Sequence, residues 1–93
     1  MSREELLAQR SELLERLSAV PYEGTIEIKE SEGRRYIYLR RRVDGRLTSR
    51  YIDVYSEERY AEIRQAVLEA RSIRKRLRQI ESAMRKLGGP DGK

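Results

Sequence analysis

The chain has no cysteine and no histidine. Without cysteine there is no disulfide framework and no thiol nucleophile. Without either residue the usual zinc ligands and nucleophile–base pairs are missing. Tryptophan and phenylalanine are also absent, so tyrosine, present six times, supplies every aromatic ring. Proline occurs twice. No apolar run approaches a signal-peptide core or a membrane span, which places the protein in the cytoplasm by expectation. Neither GxxxxGK[ST] nor GxGxxG occurs. The adjacent carboxylate pairs Glu4-Glu5 and Glu57-Glu58 lie where helix first turns are expected, and capping explains them. These gaps exclude most enzyme classes and imply no cofactor and no metal. The expectation is a non-catalytic binding module.

What is abundant is charge. Among 93 residues, 40% are charged and the net charge is +5, with seventeen arginines against four lysines. Guanidinium groups match phosphate and carboxylate geometry and stack on rings. A basic balance suggests an acidic partner, nucleic acid first. The plainer reading is that arginine serves solubility. A chain of this length is one domain near the size where a core stabilises only modestly, so an oligomer fits it well.

Residues 34 to 43, RRYIYLRRRV, alternate in the manner of a strand. Asp44-Gly45 follows, a favoured two-residue type I′ hairpin loop, because both central residues need positive φ. The next run, RLTSRYIDVY, alternates again. This turn pairs Val43 with Arg46, Arg40 with Ser49, Tyr38 with Tyr51 and Ile37 with Ile52, and sets Asp53 across from Tyr36. Upstream, Glu32-Gly33 closes a second turn, setting Ile28 opposite Ile37 and Ile26 opposite Leu39. The expected strands are 24–30, 34–43 and 46–55. One face of the sheet would carry Ile26, Ile28, Ile37, Leu39, Ile52 and Val54 towards a core. The other would carry Tyr36, Tyr38, Tyr51 and Tyr55 with Arg40, Arg42 and Thr25.

The first helix is expected over 3–20. Ser2 and Glu5 form a capping box, and Leu6, Leu7, Leu13, Leu14, Leu17 and Val20 a stripe that Arg10 interrupts. Pro21 ends it. The second helix is expected over 57–87, roughly 46 Å long, with Ser56 as N-cap. Its apolar positions Ile63, Val67, Ala70, Ile73, Leu77, Ile80, Met84 and Leu87 step by 4, 3, 3, 4, 3, 4 and 3. That is a coiled-coil seam with one irregularity near Ala70. Tyr60, Ile63 and Val67 would meet the aliphatic sheet face, and the first helix would run antiparallel along the distal half. The fold class is therefore α+β: a helix, a three-stranded antiparallel meander and a long helix, the two helices forming a hairpin. A homodimer would convert that hairpin into a four-helix bundle. Residues 88 to 93 read as a loose tail.

Two basic clusters stand out. In the first, Arg34, Arg35, Arg40, Arg41, Arg42, Arg46 and Arg50 have Asp44 as the only acid within 34–50. Tyr36, Tyr38 and Tyr51 interleave stacking surfaces with these phosphate donors. Such a sheet suits a β-ribbon reader of a DNA groove or a platform for single-stranded bases. The expected contact residues are Tyr36, Tyr38, Arg40, Arg42 and Tyr51, with Arg34, Arg46 and Arg50 on phosphates. Ordinary cross-strand pairing explains an exposed Tyr–Arg face equally well. The second cluster, Arg71, Arg74, Lys75, Arg76, Arg78, Arg85 and Lys86, reads as the basic edge of a coiled coil facing the acids of the first helix.

The stretch YIYLRRRVDGRLTSRYI, flanked by YEGTIEIKE and by RQIESAMRKLG, resembles small uncharacterised bacterial and archaeal proteins with this helix–three-strand–helix order. Residues 24 to 55, with aromatic strands around an Asp-Gly turn, are also similar to the amino-terminal arm domains of tyrosine recombinases and to leading segments of some transposases. That similarity implies DNA binding by the sheet, and DNA ahead of RNA. The long second helix departs from the arm-domain pattern, where the helix is short. The alternative is a protein partner, with the chain acting as an antitoxin-like subunit or as a homodimeric coiled coil and the exposed tyrosines as anchors.

Overall fold

A computed structural model describes residues 2–88. In order the elements are α1 (Arg3–Ala19), β1 (Thr25–Ser31), β2 (Arg34–Val43), β3 (Arg46–Val54) and α2 (Glu57–Gly88). This is the α+β order expected, with bounds shifted by one residue at several ends. Gly88 closes α2 rather than opening a tail, and the remainder of that expected tail lies outside the described residues. Two compact units divide the chain. One holds the sheet with the first part of α2, over Val20–Ala70; the other holds α1 with the distal part of α2.

In the sheet unit the strands pair antiparallel in the order β1-β2-β3. Both turns have the backbone a type I′ loop needs. Glu32 and Gly33 have φ of 52° and 78°, and Asp44 and Gly45 have 51° and 78°. They fix the register as expected at Ile28↔Ile37, Ile26↔Leu39, Val43↔Arg46, Arg40↔Ser49 and Tyr38↔Tyr51. Beneath the aliphatic face, Ile37 and Leu39 of β2 meet Ile63 and Val67 of α2, with Tyr22, Ile26, Ile52, Tyr55 and Tyr60 around them. Burial of each of these four aliphatic side chains stabilises by roughly 1.5–3 kcal/mol before conformational entropy is counted. Ile28 lies at the margin and stays 39% exposed.

One part of the expected register is wrong. Past Tyr38↔Tyr51 the ladder shifts, so Ile37 pairs with Asp53 and Tyr36 with Val54. Ile52 is the extra residue of a β-bulge, and parity inverts beyond it. Val54 therefore leaves the core face and is 43% exposed. Tyr55 takes the core side, its N–H donating to the Arg35 carbonyl at 2.9 Å. Its ring meets Tyr60, centroids 5.8 Å apart, and the Arg35 guanidinium lies 4.3 Å from its centre. The bulge is held by Asp53. Its carboxylate accepts the Val54 N–H at 2.7 Å and Arg59 Nε at 2.9 Å. Arg59 Nη2 also donates to the Tyr22 hydroxyl. Tyr22 first and Asp53 second push the Arg59 pKa above its ordinary value, so this cation ties the connector, β3 and α2 together.

Ser56 caps α2: its hydroxyl accepts the Arg59 N–H at 3.0 Å. Buried positions along the helix run Ile63, Ala66, Val67, Ala70, Ile73, Leu77 and Ile80, which is the expected seam with Ala66 added. In the helical unit, α1 runs antiparallel to distal α2. Gln9 Oε1 accepts Arg76 Nη2 at 2.8 Å, and Arg3 lies beside Gly88. The capping box forms as expected: the Ser2 N–H donates to Glu5 Oε1 at 2.9 Å, and the Glu5 N–H donates to Ser2 Oγ at 3.2 Å. The leucine stripe of α1 is narrower than expected. Leu6 is buried, while Leu7 and Leu14 are 42% and 41% exposed. Successive helix residues point about 100° apart, and a single partner helix covers too narrow an arc for both Leu6 and Leu7. Leu87, at the last turn of the seam, is also exposed. No described helix is long and apolar enough to cross a membrane.

Candidate nucleic-acid interface

Residues directly opposite on antiparallel strands share a face. On the side away from the core, β2 places Arg34, Tyr36, Tyr38, Arg40 and Arg42. β1 adds Thr25, Glu27 and Lys29, and β3 adds Leu47, Ser49 and Tyr51. The expected contact residues Tyr36, Tyr38, Arg40, Arg42 and Tyr51, and the phosphate donor Arg34, therefore do come together. Arg46 and Arg50 do not. Their partners are Val43 and Leu39, which puts both on the opposite side with Arg41. That placement follows from the same turn register that the sequence supplied, so it was there to be read. Tyr55, expected on the tyrosine face, is turned to the core by the bulge.

The three outward tyrosines pack on one another. Tyr51 meets Tyr36 at 6.2 Å and 60°, and Tyr38 at 5.6 Å and 69°. These are tilted and edge-on arrangements of the kind aromatic pairs prefer. Lys29 Nζ sits 4.3 Å from the centre of the Tyr38 ring. Tyr36 and Tyr38 are half-buried, and Tyr51 remains 50% exposed. Lys29 thus covers one face of Tyr38, and the tyrosine contacts with Tyr51 are tilted or edge-on.

The guanidiniums are held more loosely. Arg40 lies 3.9 Å from Glu27, which also meets Lys29 at 3.8 Å. Arg41 lies 3.4 Å from Glu23. Exposed pairs of this type are worth about 0–1 kcal/mol and yield readily to a stronger anion. Arg42 Nη1 donates to the Gly45 carbonyl at 3.2 Å, which steadies it against the turn. Among the described residues the side chains of Arg34, Arg46 and Arg50 make no hydrogen bond or ion pair.

Cover by a third strand stops early. β1 ends its pairing at Thr25↔Arg40, so Arg41↔Thr48, Arg42↔Leu47 and Val43↔Arg46 belong to a two-stranded ribbon. Every residue from Arg40 to Tyr51 is exposed. At the root of this ribbon Gly24, with φ of +131°, sits against the Arg40 carbonyl where a side chain has no room. Five of the seven arginines in residues 34–50 are on this ribbon, and Arg34 and Arg35 stand at the opposite end of β2. Residues 34 to 50 carry seven arginines and one acid, while the other seventy-six residues carry fourteen bases and fifteen acids. The entire surplus of positive charge lies in that segment. By contrast, the helical unit's basic groove of about 190 Å³, lined by Arg10, Leu14, Arg74, Leu77, Arg78 and Glu81, includes an acid of its own.

The family described as "Domain of unknown function (DUF6788)" matches residues 3–65, from the start of α1 through the sheet into the first turns of α2. The chain belongs to this family. The DUF6788 match takes in the whole ribbon and the core beneath the sheet as far as Ile63, and stops before the distal part of α2. No curated protein and no solved structure matches the chain.

Proposed function

We propose that the protein is a non-catalytic nucleic-acid-binding module that works through the β2–β3 ribbon and the adjoining Tyr/Arg face. The observation that carries this reading is the segregation of charge: the whole positive surplus lies within residues 34–50, on arginines that are all exposed. Such a concentration attracts a polyanion and releases its counterions on binding. Tyr36, Tyr38, Arg40, Arg42 and Tyr51 form the contact face, with Arg34 on phosphate. The likeness of residues 24 to 55 to arm domains of tyrosine recombinases is an analogy of fold that favours DNA over RNA. A fluorescence titration with nucleic acid at two salt concentrations tests it. Arg40→Ala/Arg42→Ala should weaken binding and flatten the salt dependence, by about 1.8 in log–log slope for two lost contacts. Unchanged affinity and slope in that double variant would remove the proposal.

A second reading has its own observation. Leu47 and Tyr51 lie on one face, 55% and 50% exposed, as anchors for a protein partner would. On that reading the chain is a partner subunit of a larger protein, or pairs with a second copy through the exposed Leu7 and Leu14 of α1. A stoichiometric, salt-insensitive complex that retains no nucleic acid would select it.

A further inference from the structure

We infer that the ligand of the ribbon is duplex DNA, with the two-stranded tip seated between the phosphate walls of the major groove. This rests on the nucleic-acid reading above and narrows it. The deciding observation is that the ribbon is basic on both sides. Arg40 and Arg42 project from one face; Arg41, Arg46 and Arg50 project from the other. A platform for single strands needs cations on one side only. A groove has phosphates on both.

Three further features agree. Beyond Thr25↔Arg40 the ribbon is two strands wide and open on both faces, extending about 10–14 Å to its turn. The B-DNA major groove, about 12 Å wide, admits a two-stranded ribbon. The A-form groove of duplex RNA is too deep and narrow for that entry. Next, the tyrosines that would stack on splayed bases are engaged with one another and with Lys29. Finally, Leu47 lies directly across from Arg42 and is 55% exposed. An apolar side chain exposed at that point is suited to a thymine methyl, while Arg42 beside it reaches phosphate.

The test uses the full chain with a short mixed-sequence duplex DNA, its single strand, and the duplex RNA of the same sequence. Fluorescence anisotropy is read at two salt concentrations for the wild type, Arg40→Ala/Arg42→Ala and Arg41→Ala/Arg46→Ala/Arg50→Ala. The wild type should bind duplex DNA at least about tenfold more tightly than the other two ligands, a difference of about 1.4 kcal/mol. Five phosphate contacts predict a loss of about 500-fold between roughly 50 and 200 mM salt; the double variant should lose about 40-fold and the triple variant about 12-fold. Single-strand or RNA binding as tight as duplex DNA, or a slope carried by Arg40 and Arg42 alone, overturns groove entry and leaves nucleic-acid binding standing, whereas affinity and slope unchanged in Arg40→Ala/Arg42→Ala remove both. Binding to none of the three ligands removes both. The wild-type comparison across ligands decides the matter even if a variant folds poorly, which far-UV circular dichroism would reveal.

Discussion

Replacing Gly24 by alanine puts a methyl group where β2 already stands. A Cβ there would lie 2.4 Å from the Arg40 carbonyl oxygen and 3.2 Å from Arg41 Cβ. The nearest atom is backbone, so no side chain can swing aside. The φ of +131° adds a second penalty, since L-residues rarely adopt it. Backbone strain contributes about 1–3 kcal/mol, and the overpacking about as much again. The expected loss is ~2–6 kcal/mol, against a total near 5–14 kcal/mol for a chain of this size. Urea denaturation followed by circular dichroism measures it. Gly45→Ala is the control: φ there is +78°, but nothing lies within 4 Å of the added methyl. It should lose only about 1–2 kcal/mol. If Gly24→Ala is no worse than Gly45→Ala, the close approach at the root of the ribbon is wrong.

Ile37→Ala should destabilise by about 2–5 kcal/mol, because the side chain is fully buried in the core under the sheet. Ile28→Ala, its direct cross-strand neighbour at 39% exposure, should lose roughly 1 kcal/mol; equal losses would place the core elsewhere. Glu32→Asn should raise stability by about 0.5–1 kcal/mol, since Glu32 holds a φ of +52° that asparagine tolerates better, and a fall in the urea midpoint would count against the turn assignment. Below the ordinary glutamate range the first turn of α1 should fray. The Ser2 N–H, then the Ser2 hydroxyl interaction, lowers the Glu5 pKa. The stability it lends is full above the unfolded pKa and lost as pH falls through the folded one. Amide exchange at Leu6 that stays flat through that acid range would contradict the capping box.

Much of this fold is written in local signals. Glu32-Gly33 and Asp44-Gly45 set the strand register, Ser2 and Ser56 start the helices, and the spacing from Ile63 to Ile80 marks the buried seam. The bulge at Ile52 was hidden because YIDVY alternates smoothly, so Ile52 and Val54 read as one inward pair. What inverts the parity is tertiary: Asp53 reaches Arg59, and Arg59 reaches Tyr22. Nothing in the strand itself announces those partners. Gly24 was legible as a connector residue but not as a contact with Arg40, since that approach depends on how β1 meets β2. At the candidate site the cluster Tyr36, Tyr38, Arg40, Arg42 and Tyr51 followed from alternation alone. Arg46 and Arg50 were expected beside those residues, although the same register, with Val43↔Arg46 and Leu39↔Arg50, sets them on the opposite face with Arg41.

Backbone amide shifts of the labelled protein, recorded while duplex DNA is added, locate the contact most directly. The largest changes should fall on Arg40 to Tyr51, on both faces of the ribbon, with α1 and distal α2 little affected. Changes confined to the second basic cluster, from Arg71 to Lys86, would show that the ribbon is not where this protein meets its ligand.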